Sequence, residues 1–501
     1  MKDVKRAVNG ERKKRFLFIT PPYERLKGLT VESVPLGILY LATVLDRAGY
    51  DAKVFDADSL FNNGELSYSN VNRIKSQSNY VRNLTNDNHP AWQEIRGLLT
   101  EFKPDFVGVS MMTPIFSSCK KVIEIVSETL PDAVILAGGP HVTILKENGL
   151  KCMPEVDVAF VGEAEESIVE FTQRRVSGKN WTSVKGLVYR KGDKVFFTGY
   201  RNRIHDLDAL PIPKRSLLVN EFRYQRAKLG LMIASRGCPF QCAFCASVPL
   251  WKREMRRRSP QNLVKEIDYL VRNYNITSFG FWDDTFTIDK KAVIGFCRLI
   301  YKKYGSRRFK WNCLTNINCV DDDVLFWLKK AGCKTISIGI ESGSDRILKL
   351  VKKNITTDQV RNVARLIKKR GFWLHTFFMV GFPYETEKDI RKTINFIKEI
   401  RPDSMNLCTF TPHPGTELYD YVVSKGMFDM GNNFSVYNNI SQHSLNNFFV
   451  ENMSHEKYRE LLDKLIKLSE YISEGRNFRK MWLIMNRLTW EKVKHRLKRY
   501  L

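Results

Sequence analysis

Short apolar runs along this chain alternate with stretches whose apolar residues recur every three to four positions, a pattern that predicts strands joined by helices. In the amino-terminal third the runs are Phe16–Thr20, Ala52–Phe55, Phe106–Ser110, Ala133–Ala137 and Val158–Val161. Helical spacing covers Pro35–Ala48, closed by Gly49, and the region around Lys120–Glu128. Strands that are apolar on both faces and followed by helices imply a doubly wound parallel sheet, an α/β fold whose ligands lie beyond the carboxyl ends of the strands. Asn62–Asn88, rich in Asn and Ser and without periodicity, reads as a surface insertion. Thr182–Tyr200 predicts a small strand pair, and Asp206–Arg215, with Pro211 and Pro213, a linker.

A second series follows. Leu231–Ser235, Ile276–Phe281, Phe309–Leu314, Thr335–Ile340, Leu374–Val380 and Met405–Phe410 read as strands. The helical patterns Gln261–Arg272, Asp289–Tyr301, Thr357–Lys369 and Glu387–Ile400 separate them. Six strands with intervening helices predict a partial (β/α)6 barrel, with its chemistry at the strand carboxyl ends. Helical patterns at Glu456–Ile472 and Asn477–Arg499 complete a carboxyl-terminal region expected to cover the barrel mouth. A chain of 501 residues exceeds what one core serves. The expected division is a basic extension over 1–15, a Rossmann-like domain over 16–180, a strand pair and linker over 181–225, a barrel over 226–430 and a basic helical region over 431–501.

The chemistry concentrates after the first barrel strand, where Ser235-Arg236-Gly237-Cys238-Pro239-Phe240-Gln241-Cys242-Ala243-Phe244-Cys245 carries the spacing C-x3-C-x2-C. Thiolates this close can hold one 4Fe-4S cube, but a cube has four irons and Cys238, Cys242 and Cys245 supply three ligands, so one iron stays open to a substrate or cofactor. Structural zinc and buried structural thiols are the competing readings; zinc normally brings a fourth Cys or His in a second knuckle, and the chain has no other CxxC pair. The predicted strand ends are polar or glycine-rich where a core would be apolar. Ser110-Met111-Met112-Thr113, Gly138-Gly139-Pro140-His141 and Gly162-Glu163 end strands of the first series. Asp283-Asp284-x-Phe286, Glu341-Ser342-Gly343 and Gly381-Phe382-Pro383-x-Glu385-Thr386 end strands of the second. Glycines there let a backbone approach a bulky ligand, and hydroxyls bond its polar edges. Asp284 and Glu385 read equally as caps of the helices that follow them. His375, inside an apolar strand, reads as a satisfied core histidine, and His413, between two prolines, as a turn residue.

The cysteine run, with an aromatic residue before its last Cys, resembles the radical S-adenosylmethionine (SAM) enzymes. The order of glycine-rich strand ends ahead of it, with Val34-Pro35-Leu36-Gly37-Ile38-Leu39-Tyr40-Leu41-Ala42, resembles the cobalamin-binding domain fused to that core in one large subclass. The resemblance implies a 4Fe-4S cluster on Cys238, Cys242 and Cys245, with the methionyl group of SAM on the open iron and a 5'-deoxyadenosyl radical produced by reduction. It places SAM against Phe244, Asp283, Asp284, Glu341, Ser342 and Gly381, and cobalamin against Ser110, Thr113, Gly138, Gly139, Pro140, Gly162 and Glu163. Mutase-type cobalamin domains carry a histidine in the loop after the first strand. Here that loop, Thr20–Gly28, has none, and the first histidine of the chain is His89, so no histidine from this loop is expected on cobalt and His141 is expected to be structural or substrate-facing. The implied reaction is methyl transfer to an unactivated carbon or phosphorus centre. A ring-forming or coupling reaction without net methylation is the enzymatic alternative, and an iron-sulfur redox sensor or nucleic-acid-binding protein the non-enzymatic one.

Composition narrows the setting. Ten cysteines without a paired framework suit a reducing compartment, and neither a signal segment nor an uninterrupted membrane span is evident, so a cytoplasmic enzyme is expected. The formal charge of +27 suits an anionic partner or reflects a lysine-rich surface. From Arg476 to Leu501, nine Lys and Arg residues face one Glu amid Trp and Met. That pattern fits a helix packed on its own domain or lying at a membrane surface. The expected partners are a small-molecule or lipid-like substrate and an external one-electron reductant, with nucleic acid less favoured.

Overall fold

The computed structural model describes residues 12–29, 33–59, 76–431 and 434–472. Two sheets dominate it, the first mostly and the second wholly parallel. The first has seven strands: β1 (Arg15–Thr20), β2 (Asp51–Asp56), β3 (Phe106–Ser110), β4 (Val134–Gly138), β5 (Val158–Phe160), β6 (Leu187–Lys191) and β7 (Lys194–Phe197), in the order β2-β1-β3-β4-β5-β6-β7. β1 to β5 are parallel, and β6 and β7 add antiparallel to β5. Four successive β1 residues, Phe16 to Ile19, are buried, as a central strand covered on both faces requires. Phe16 stacks on Phe106 of β3 with ring centroids 4.4 Å apart. Strand order reverses between β1 and β3, which opens the crevice at their carboxyl ends.

The second sheet has six strands in the order β15-β14-β13-β12-β11-β8: β8 (Leu231–Met232), β11 (Ser278–Phe281), β12 (Lys310–Thr315), β13 (Cys333–Glu341), β14 (Trp373–Val380) and β15 (Ser404–Thr409), all parallel. Along β14 fully buried residues alternate with half-buried ones, as in a strand with one face under helices. A short antiparallel hairpin, β9 (Ser235–Arg236) with β10 (Arg256–Arg257), branches from the end of β8 and carries the cysteine loop between its strands.

The two sheets share an apolar core. Ala243, Phe382, Phe410, Leu418, Phe434 and Tyr437 join the same buried cluster as Met111, Phe116, Ile123 and Val109 of the first domain. This cluster sets the strand ends of one sheet against those of the other. A helix over 455–472 adds Tyr458, Leu461, Leu462 and Leu465 to the barrel core.

Several expectations are corrected. The described part of the supposed surface insertion Asn62–Asn88 contains the helix Gln77–Leu84, whose Tyr80 is fully buried and bonds Ser118; one buried aromatic in a polar stretch is enough to anchor a helix. A helix beyond those expected spans Pro90–Phe102, with Trp92, Ile95 and Leu99 on its buried side and His89 as its cap. The strand pair within Thr182–Tyr200 extends the first sheet instead of standing between domains. The run Leu231–Ser235 is split, with Ser235 in the hairpin. The helix expected at Asn477–Arg499 lies outside the described residues.

Candidate active site between the facing strand ends

The cysteine loop is held from three sides. The residue before Cys238 is Gly237, at φ 90°, where a Cβ would overlap the Glu254 carbonyl oxygen. Only glycine fits. Ala243 donates its amide to Val351 O at 3.0 Å and accepts Leu418 N at 3.0 Å, so the stretch between Cys242 and Cys245 is pinned to two other elements. Cys238 Sγ lies 3.8 Å from Thr285 Oγ1. Burial raises all three thiols, Cys245 to about 12, and iron binding therefore displaces their protons. Among the described residues no three His, Cys, Asp or Glu side chains are disposed around a single ion position. Thiols that share a cube each take a different iron and need no common focus. Phe244 turns inward onto Phe382, centroids 5.6 Å apart.

The Asp283-Asp284 pair divides its work. Asp283 is buried and accepts Ala234 N at 3.0 Å and the Ser235 hydroxyl, and burial lifts it to about 6. Each of its oxygens holds the entry to the cysteine loop. Among the described residues Asp284 accepts only Ser247 Oγ, at 2.8 Å, and it opens onto the cavity described below. It does not cap the next helix, as Asp289 does so through Ala292 N. Thr386, not Glu385, caps the helix Glu387–Ile400. Glu385 is fully buried and accepts Gly381 N at 2.6 Å and Phe382 N at 3.2 Å, shaping the turn at the end of β14. Gly381, at φ 89°, faces Tyr458 from the helix over 455–472.

Glu341 ends β13 at φ 70°, a left-handed conformation that non-glycine residues adopt at a cost of roughly 1–3 kcal/mol. Its carboxylate receives Lys353 Nζ at 2.7 Å. Lys353 is buried, follows by two residues the Val351 that bonds Ala243, and its ammonium acts electrostatically on the Cys242 and Cys245 thiols. The sequence did not single it out, because a lysine in Lys352-Lys353-Asn354 looks like surface charge. Ser342 is buried and bonded to Thr393 Oγ1 at 3.2 Å and to Ser344 N, so its hydroxyl supports the loop.

In the first domain, the loops after β3 and β4 interlock. Met111 N bonds Gly138 O at 2.7 Å and His141 N bonds Met111 O at 3.2 Å, while a Cβ on Gly139, at φ 105°, would stand 2.7 Å from Met111 O. A cavity of about 320 Å³ opens beside them, within the range of small-ligand sites. Its first-domain wall includes Phe18, Ser110, Gly138, Gly139, Pro140, Gly162 and Glu163. Its second-domain wall includes Ser235, Arg236, Gly237, Trp251, Trp282 and Asp284. Side chains added at Gly138 and Gly162 would meet no atom within 4 Å, so they would fill this space. Thr113 does not line the cavity. It is buried against His141, Oγ1 to Nδ1 3.0 Å, and burial lowers His141 to about 4, keeping the ring neutral. Nor is Glu163 free toward a ligand, as its carboxylate is taken by two arginines and by Ile204 N. His375 is half-buried, on the more open face of β14 and not in the core as expected, and its Nδ1 is hydrogen-bonded to Ser404 Oγ at 2.7 Å.

Residues 29–172 match the family model of the B12 binding domain, and residues 232–397 that of the Radical SAM superfamily. An uncharacterized methyltransferase of Pyrococcus horikoshii is 29% identical over 418 residues, spanning 82% of this chain and 84% of the relative. An anaerobic magnesium-protoporphyrin IX monomethyl ester cyclase of Cereibacter sphaeroides is 27% identical over 415 residues, 81% of this chain but 63% of the relative. The solved structure of the radical S-adenosylmethionine methyltransferase TsrM from Kitasatospora setae, with cobalamin and a 4Fe-4S cluster bound, shares the fold at a TM-score of 0.65 and 15% identity, over 83% of this chain and 75% of that one. With a B12 binding domain, a radical SAM barrel and the cysteine loop between their facing strand ends, this chain belongs to the cobalamin-binding radical SAM enzymes.

Proposed function

We propose that the enzyme transfers a methyl group to an unactivated carbon or phosphorus centre of a small molecule. The observation that carries this reading is the shared cavity, whose walls are the glycine-rich strand ends of the B12-type sheet and the residues that flank the cysteine loop and end β11. Cys238, Cys242 and Cys245 would hold the cluster. Asp284, Glu341, Lys353 and the Gly381 turn would receive SAM, an ammonium-carboxylate zwitterion that charged side chains bind well. Ser110, Gly138, Gly139, Pro140 and Gly162 would cradle cobalamin. When bound, the cluster with SAM supplies a carbon radical by one-electron reduction, and cobalamin supplies the methyl group. The protein's own share is to orient the reactants and keep water out. An external one-electron donor is required.

The cyclase relative favours a second reading, ring formation with the same cofactors. Product mass separates the two, since only transfer adds a methyl group. The test is anaerobic reconstitution with iron, sulfide and cobalamin, followed by iron counting, absorbance and SAM cleavage under reduction. Substitution of any of the three cysteines by alanine is expected to abolish both iron retention and cleavage; retained cleavage refutes the assignment. A lipid-like substrate, with the tail from Arg476 at a membrane surface, is a finer proposal: vesicle binding that survives deletion of residues 476–501 rules it out.

A further inference from the structure

We infer that the two carboxylates of the B12-type domain act on the cysteine loop, so that cobalamin and the cluster report to each other through one buried ion-pair network. Arg236 lies two residues before Cys238, and its guanidinium is gripped by Glu163 at 2.6 Å and Glu165 at 2.5 Å. Arg256, its partner across the hairpin that carries the loop, reaches Glu163 at 2.5 Å and Ile204 O at 2.7 Å. Glu163, Glu165 and Arg256 are less than one-tenth exposed. Tyr40, on the helix Leu36–Arg47, stacks under Arg236 at 5.4 Å.

Glu163, Glu165 and Arg236 also line the cavity assigned to cobalamin. A ligand there bears on the same side chains that fix the entry to the loop. Glu163 bridges the two arginines, Oε1 to Arg236 and Oε2 to Arg256, and charge-assisted hydrogen bonds of this kind are short and strong, so a shift of Glu163 moves Arg236 and Arg256 together. Arg236 and Glu163 are thus positioning residues, placed between the cavity and the cysteine loop.

The inference rests on the cofactor assignment and is tested by equilibrium linkage. Hydroxocobalamin affinity is measured by absorbance titration on cluster-loaded and cluster-free protein, and the rate of iron release to a chelator with and without hydroxocobalamin. The expected result is affinity about 5-fold or more higher with the cluster, and iron release slowed when cobalamin is bound. In E163Q and in R236K, which keeps the charge but loses the fork, the affinity ratio is expected to fall towards one. Equal affinity for the two wild-type forms overturns the inference whether or not either variant folds, and so does a folded variant of either kind that keeps the full ratio. Protein that binds no cobalamin in either form overturns the cofactor assignment itself.

Discussion

Gly381 stands so close to Tyr458 that a Cβ on it would lie 2.6 Å from the tyrosine hydroxyl. This contact joins the end of β14, where SAM is proposed to lie, to the helix over 455–472. A methyl group at 381 is opposed twice, by the positive φ and by the hydroxyl. G381A is expected to lose roughly 1–3 kcal/mol of stability and to weaken SAM binding. Adding Y458F should restore only part, since it removes the overlap and leaves the dihedral strain. Thermal unfolding of the single and double variants with SAM titration checks this, and full recovery in the double variant would refute the dihedral share.

Glu385 gives a pH signature. Burial raises its carboxyl from 4.5 to about 8, while its Oε1 has no hydrogen-bond partner among the described residues. The folded state therefore holds this proton more tightly than the unfolded one, and the group's contribution to stability falls as pH rises from about 4.5 to about 8. E385Q mimics the protonated acid. The expected result is that the melting temperature of E385Q gains on that of wild type across this window. A constant difference would show that Glu385 is already ionised at low pH.

Asp283 and Asp284 should separate cleanly. D283A orphans the Ala234 amide and the Ser235 hydroxyl in a buried site, at a cost of roughly 1–3 kcal/mol, and should release iron more readily. D284A removes a carboxylate bonded to one hydroxyl and should leave the melting temperature nearly unchanged while weakening SAM. The opposite assignment of effects would reverse their roles.

Lys353 is the buried cation closest in sequence to the segment that pins Ala243. K353M removes a positive charge acting on the cysteine thiols and leaves Glu341 unpaired. The reduction potential of the cluster is expected to become more negative, because a nearby cation favours the reduced, more negative state. Spectroelectrochemical titration reads the shift; an unchanged potential would confine Lys353 to a structural role.

What the sequence determined by itself is local. Runs such as Phe16–Ile19 and the alternation along β14 carry their own period, and three thiols within eight residues need no tertiary contact to be near one another. The strands, the barrel and the cysteine loop were legible for that reason, and so were the glycines that line the cavity. What only the tertiary structure decided is pairing across distance. Asp283 and Asp284 are neighbours in sequence, yet one points into a buried hydrogen-bond set and the other into the cavity. Lys353 looks like one of many surface lysines until the fold buries it beside Glu341. Thr113 turns to His141 and away from the cavity, and Glu163 spends its charge on arginines of the other domain. These outcomes depend on which donors and charges meet after collapse, when burial makes an unpaired polar group costly and forces each to take the partner within reach.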